Sequence, residues 1–477
     1  MTLFGLVAGG VILLFFIYLL VRILQKIYKD CKSSKSQLPP YAPTTMMKTI
    51  HALTHGQHPW FFLDLQKQMH PIKLFRLPIS FTKPWIVIGD VNVALKVDKD
   101  VHTKRPAIGY TDIASCIGSG GSIVTLEGAE WKHRRLATNV AFASHNLKRM
   151  SSVLETCTEH WMKTNLEDYE TKSFDVGKEM VGLTIKIILE SAFDYKATTT
   201  EAEYLSSELL ICSQEFAKVS GGLNPLRKLF GPFSSEVRRA KLARQNVFNF
   251  ALKIIHGYHE NNKIDSKTCT LLSCIMNNPN YKNDNDRASD IVMWMNAGFD
   301  NTGFAISWVL LDLARHPSIV SVLRDELKVV PQKDWHKSTS IRNICKESMR
   351  LHPVTPGGSL RLVGKDFIFD NILISKGSIV QLPSFLYTRD EDVFDSPNEF
   401  QPNRWNEKNK SQSMTETFIP YTAGRHNCAG QAFANLEIET VVSCLLSQYN
   451  FSVDVEGHEE YFITLKPVGS RLFASKI

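Results

Sequence analysis

From Leu3 to Leu20 the chain carries no charged side chain, and Val21 to Tyr28 stays mostly apolar around Arg22 and Lys26. About twenty apolar residues span a bilayer core, so this pattern predicts a transmembrane anchor over residues 1–28. Arg22, Lys26, Lys29, Lys32 and Lys35 follow on one side only, and the positive-inside rule keeps that side cytosolic. A cleaved signal peptide is the competing reading. No charged segment precedes the apolar run and no small-x-small site closes it, which favours an uncleaved anchor. Residues 29–43 are basic and then proline-rich, at Pro39, Pro40 and Pro43, and read as a linker and hinge. The globular body is expected over 44–477.

Within the body the period changes with position. Residues 72–90 alternate and are rich in β-branched and aromatic side chains; they predict a strand pair turning at about Thr82–Pro84. Asp90 then caps a short helix through Val97. Residues 104–121 are Gly/Ser-rich with scattered apolar residues and read as a loop. From 150 to 285 the spacing is helical, over Met150–Asn165, Asp175–Phe193, Glu201–Val219 and Ser234–Asn261, with a break at Gly221–Pro225. Ala288–Arg315 is apolar nearly all round, which predicts a buried helix, and His316-Pro317 ends it. Further helices are expected at Ile341–Leu351 and Ala429–Leu446. The fold class is mainly α with a smaller β region.

Composition narrows the class. The chain has 477 residues, 43% of them hydrophobic, enough for a large core. A net charge of +7 is too diffuse to suggest nucleic acid and fits a membrane-associated protein or one docking an acidic partner. Nine cysteines without a pairing pattern argue for a reducing compartment. No Gly-x-Gly-x-x-Gly segment is present to bind a dinucleotide.

The chemistry concentrates in a few places. Cys428 follows a turn containing Gly424 and opens an apolar helix, where free backbone N–H groups favour a thiolate. Gly430 removes a side chain beside the sulfur, and Arg425 and His426 add positive charge. A buried cysteine capping a helix is the plain alternative. Trp131 and Arg135 share a helix face at i, i+4, as a merely basic face with a packed Trp also would. Asp300, Asn301 and Thr302 interrupt the most apolar helix just after Ala297 and Gly298, and polar groups buried there need a reason. Glu347 and Arg350 share another face at i, i+3, and Arg404 follows some 50 residues on.

Tyr421-Thr-Ala-Gly424-Arg-His426-Asn-Cys428-Ala-Gly430 resembles the haem-binding loop of the cytochrome P-450 superfamily, Phe-x-x-Gly-x-Arg-x-Cys-x-Gly. Trp131/Arg135, the Ala297–Thr302 segment, and Glu347/Arg350 with Arg404 follow the same family's order over about residues 40 to 477. The resemblance implies a P-450 fold behind one transmembrane helix, haem b with Cys428 as its metal ligand, and Trp131, Arg135 and Arg361 toward the propionates. His426 stands where the family has Arg, so His426 or Arg425 would make that contact; for Arg361 a surface role is the alternative. It further implies that Asp300 passes protons inward and that Glu347, Arg350 and Arg404 are structural. Asn301 replaces the family's oxygen-side threonine. It either orients a water or hydroperoxide, with Thr302 as neighbour, or bonds a backbone carbonyl and bends the helix.

The implied activity is a monooxygenase. It would act on dioxygen and a lipophilic substrate, with electrons from NADPH through a separate flavoprotein reductase, at a membrane, expected to be the endoplasmic reticulum. A haem-thiolate isomerase or dehydratase of lipid peroxides is the alternative that Asn301 raises. A non-catalytic haem protein is a third reading.

Overall fold

The computed structural model describes residues 37–79, 83–118, 121–166, 172–219, 227, 231–260 and 269–477. The apolar N-terminal run, Thr82 of the predicted turn and the Gly221–Pro225 break lie outside them. Among the described residues no single helix is long and apolar enough to cross a membrane.

The longest helix, Asp284–Arg315, is buried over most of its length. Asn283 caps it by accepting the Asp286 amide at 3.0 Å. It ends at His316, whose φ −124° and ψ 64° are not helical, because a residue before proline is pushed out of the α region. Pro317 then starts Pro317–Leu327 at 101° to it.

Helix Val176–Phe193 lies against this central helix, and two glycines allow the approach. A methyl on Gly298 would sit 2.9 Å from Ile188, and one on Gly303 would sit 2.9 Å from the Val181 Cα. Thr184 joins the pair by donating to the Phe299 carbonyl at 2.7 Å. The missing side chain of Gly298 thus serves helix packing. Ser144–Trp161 and Gln431–Gln448 complete the helical layer, and Phe142 bridges it, with ring centroids 5.5 Å from Trp294 and 6.2 Å from Phe433.

A second, smaller core forms around a four-stranded sheet. Leu74–Leu77 pairs antiparallel with Trp85–Ile88, Leu74 opposite Ile88. Ile379–Leu382 runs parallel to the latter, and Ser359–Leu362 runs antiparallel on its far side. Every residue of Trp85–Ile88 is buried, as a strand covered on both faces requires. Asp90 caps Val91–Lys99 by accepting the Asn92 and Val93 amides. A hairpin, His458–Tyr461 with Leu465–Val468, reaches back to the central helix.

Two boundaries differ from expectation. Residues 104–121 were read as a loop, but Ala107–Cys116 is helical, broken at Gly109 with φ +82°. Its scattered apolar residues pack against Thr199–Val219, which supplies the stability that local composition does not. The proline-rich stretch is not a free hinge from residue 37 onward. Gln37 exchanges backbone hydrogen bonds with Asn371 and Leu373, and Arg76 holds the Pro39 carbonyl at 2.5 Å.

Gly303→Ala should destabilise the fold by about 1–3 kcal/mol, because the clash is with backbone that cannot rotate away. Gly182→Ala, on the partner helix with nothing within 4 Å, should instead be neutral or gain up to about 1 kcal/mol. Chemical unfolding of both variants checks the pair.

Candidate active site

The cysteine loop is set by backbone geometry first. Thr422 and Gly424 have φ of +57° and +69°, and a methyl on Gly424 would meet the Asp98 carbonyl at 2.5 Å, so this position requires glycine. The Cys428 amide donates to the Tyr421 carbonyl at 3.0 Å. Tyr421, where the resemblance has Phe, has a use for its extra hydroxyl: it donates to Asn435 at 2.6 Å. The helix after the sulfur starts at Gln431 with Gly430 as its N-cap, two residues later than expected. Cys428 is open to water, yet burial still pushes its thiol up, against the Gly430 amide and the Arg135 guanidinium. A group both accessible and surrounded describes the wall of a recess. The helix end alone therefore does not make the thiolate; a bound cation would.

Beneath the loop lies a closed polar network. Glu347 Oε1 accepts from Arg350, Arg404 and the Gln401 amide at 2.9, 2.8 and 3.0 Å. Its Oε2 accepts from Arg350 at 3.0 Å and from Trp405 at 2.9 Å. Arg350 spends its other donors on the Thr388, Pro397 and Glu399 carbonyls. Glu347 and Arg350 have no solvent exposure and Arg404 has 8%. Sequence reasoning brought these three together and missed Trp405, whose indole is indistinguishable from a core aromatic until its partner is placed.

A cluster of cations marks one edge. Arg135 donates to Asn427 of the cysteine loop at 3.0 Å, and Trp131 lies 4.4 Å from the His426 ring. The Trp131 indole nitrogen is buried without a partner among the described residues. Arg361 is no surface residue: it is 2% exposed and held by Asp98 at 2.6 Å, while Asp98 also accepts the Ala423 amide at 3.1 Å. His426 stands 3.3 Å from Glu127, whereas Arg425 turns to the Thr103 carbonyl at 2.7 Å. Glu127 resists the upward push of burial because His426 and the Arg105 amide hold its carboxyl down, to about 2. Arg105 was also missed. Its guanidinium sits 6.0 Å over the Trp131 ring, and burial, with Arg361 and Arg135 nearby, disfavours its charge. That surplus of like charge calls for an anion.

The central helix is buried without interruption from Ala288 to Asn296; Ala297 is then exposed and Asn301 half-buried. The Asn301 amide donates to the Ala297 carbonyl at 2.9 Å, and Thr302 is buried. Asp300 is 2% exposed and accepts from Thr464 at 3.4 Å. Burial lifts its carboxyl to about 6, against the pull of Lys466.

Haem fits these residues. Cys428 is an open sulfur, and a methyl on Gly430 would meet nothing within 4 Å. Among the described residues the Trp131 indole N–H is buried without a partner, beside the gathered Arg105, Arg135 and Arg361, and Ala297 is exposed on a helix buried over the preceding nine residues. No group of three or more His, Cys, Asp or Glu among the described residues could hold a metal ion. A family model described as Cytochrome P450 matches residues 38–469.

The chain belongs to the cytochrome P450 family. It is an oxidoreductase of that kind. It is 25% identical to a cytokinin hydroxylase of Arabidopsis thaliana, over 73% of this chain and 70% of that one. It is 24% identical to cytochrome P450 3A29 of Sus scrofa, over 77% of each. It is also 23% identical to cytochrome P450 4Z1 of Homo sapiens, over 86% and 87%. In this P450 the family's loop arginine is replaced by His426, and Arg105, Arg135 and Arg361 are the buried or half-buried cations around it.

Glu347→Ala should cost about 3–5 kcal/mol by stranding two guanidinium groups and yield little folded protein. Trp405→Phe, which removes one of the two donors to Glu347 Oε2 and leaves the Arg350 bond, should cost about 1–2 kcal/mol. Denaturant titrations rank the two. Because the fold raises the Asp300 pKa, its stabilising contribution is present below pH 4 and lost as pH rises through about 6. Asp300→Asn should therefore gain on the parent by up to about 3 kcal/mol between pH 4 and pH 7, read from unfolding at both.

Proposed function

We propose that this P450 is a membrane-anchored haem-thiolate monooxygenase acting on a lipophilic substrate. The observation that carries the reading is that one chain holds both an exposed Cys428 in a glycine-framed loop and a buried acid, Asp300, on the helix that opens at Ala297. When bound, haem b supplies the redox chemistry that activates dioxygen. Cys428 would hold its iron as the sole protein ligand. Trp131, Arg105, Arg135 and Arg361 would hold its carboxylates, with Asp98 orienting Arg361 and Glu127 orienting His426.

Asp300 holds and moves the proton. Its carboxyl, lifted to about 6, holds both charged and neutral forms around pH 6, with the charged form predominant at pH 7, and a group poised there can pass protons both ways. Thr464 orients one oxygen and Lys466 limits the rise of its pKa. Apolar Met293 and Trp294 on the same helix favour a lipophilic substrate and exclude water.

Electrons would come from a separate NADPH-dependent flavoprotein reductase, since the chain carries no dinucleotide-binding segment. Residues 1–28 would anchor the chain, residues 29–43 link it, and the remaining body would face the cytosol at the endoplasmic reticulum. A second reading, rearrangement of a lipid peroxide without outside electrons, is supported by Asn301, whose amide is already engaged with the Ala297 carbonyl.

Cys428→Ala should lose haem or the thiolate–CO spectrum; its retention would refute the ligand. Asp300→Asn should slow turnover at least tenfold with haem content intact, and the rate limb near pH 6 should vanish. NADPH with reductase should drive oxygen consumption with a lipid. Consumption of a hydroperoxide alone, unchanged by NADPH, would replace the monooxygenase with the second reading.

A further inference from the structure

The helix Leu271–Met276 packs against Gly128–Asn139, the helix of Trp131 and Arg135. At its start two thiols meet: the sulfurs of Cys269 and Cys274 are 3.2 Å apart, inside the sum of their van der Waals radii. Both residues are half-buried, so reagents can reach them. The backbone between them is fixed. Thr270 caps the helix by accepting the Ser273 amide at 3.1 Å, and the Cys274 amide donates to the Thr270 carbonyl at 3.0 Å. The Ala141 amide bonds the Cys274 sulfur, tying it to the turn that follows Gly128–Asn139.

We propose that Cys269 and Cys274 are a redox-reactive dithiol that closes to an intramolecular disulfide by exchange with a low-molecular-weight disulfide. A disulfide needs about 2.05 Å between sulfurs, so closure asks for a shift of about 1 Å and no loop search. The Cys269 sulfur attacks the external disulfide, forming a mixed disulfide and releasing one thiol. The Cys274 sulfur then attacks Cys269, expelling the second thiol. Two cysteine thiols lose two hydrogens in total, and one external disulfide gains them. Burial pushes the Cys274 thiol up to about 12, which suits it to the later step, where proximity replaces acidity. The pair stays reduced in a reducing compartment and closes when the thiol poise turns oxidising. The competing reading is two thiols packed as small apolar groups. With an S–H···S hydrogen bond it accounts for the same 3.2 Å contact, so reactivity toward an external disulfide is what separates the two readings.

The test uses the full-length, haem-loaded protein in glutathione buffers of increasing disulfide fraction, followed by acid quench, iodoacetamide and peptide mapping. The expected result is a Cys269–Cys274 peptide lighter by two hydrogens and not alkylated, at a poise where half-buried Cys157 and Cys444 remain alkylated. In Cys269→Ser, Cys274 should stay alkylated or carry glutathione at the same poise. Alkylation of both cysteines at every poise in the parent would overturn the proposal. So would bonding of either to a different cysteine.

Discussion

A carboxylate sealed from water organises the loop side of this molecule. Glu347 accepts five hydrogen bonds from four residues, so the large penalty of burying its charge is met by donors aimed at both oxygens. Those donors lie on two segments: its own helix, and residues 401–405, which supply the Gln401 amide, Arg404 and Trp405. Arg350 extends the network to three carbonyls between Thr388 and Glu399. The segment that precedes the cysteine loop is thereby fixed to Thr339–Leu351, and Met349 on that helix touches the Tyr421 hydroxyl at 3.9 Å. A chain of polar contacts, not apolar packing alone, sets where the sulfur sits.

The sulfur's surroundings divide into two electrical regions. Around Cys428 the protein is poor in compensating charge, and burial outweighs the Gly430 amide and Arg135. Around Trp131 it is rich in cations, and among the described residues the carboxylates that answer Arg361 and His426 are Asp98 and Glu127. Asp98 serves two purposes at once: it orients Arg361 and holds the Ala423 amide, coupling the cationic edge to the cysteine turn. A flat ligand with a cationic centre and an acidic rim satisfies both regions together.

The central helix shows how one element is split between packing and chemistry. Gly298 and Gly303 press it against Val176–Phe193, and Ala297 is open on the same turn. Small residues therefore serve opposite purposes within seven positions: close contact with a neighbouring helix, and space. Asp300 faces the hairpin that carries Thr464 and Lys466, an element over 150 residues away in the chain.

Helical periods, the cap at Asp90, the helix start near Asp175, the stop at Pro317 and the family motifs were readable in the residues, because each depends on neighbours a few positions apart. Asp175 accepts the Lys178 amide at 2.8 Å, and the helix it was expected to open does begin there. Glu347, Arg350 and Arg404 were readable as a group only through the resemblance, since a single i, i+3 pair says nothing about burial. What stayed hidden was set by distance in sequence. Trp405, Arg105, Asp98 and Glu127 look like an ordinary aromatic and ordinary charges until folding brings them to partners up to 325 residues apart. The helix at Ala107–Cys116 was missed because its stability comes from Thr199–Val219 and not from its own composition. The linear order determined the strongly periodic elements and singled out Cys428 as the candidate sulfur. Tertiary structure alone decided which charges are sealed from water, because desolvation depends on every segment that closes around a group.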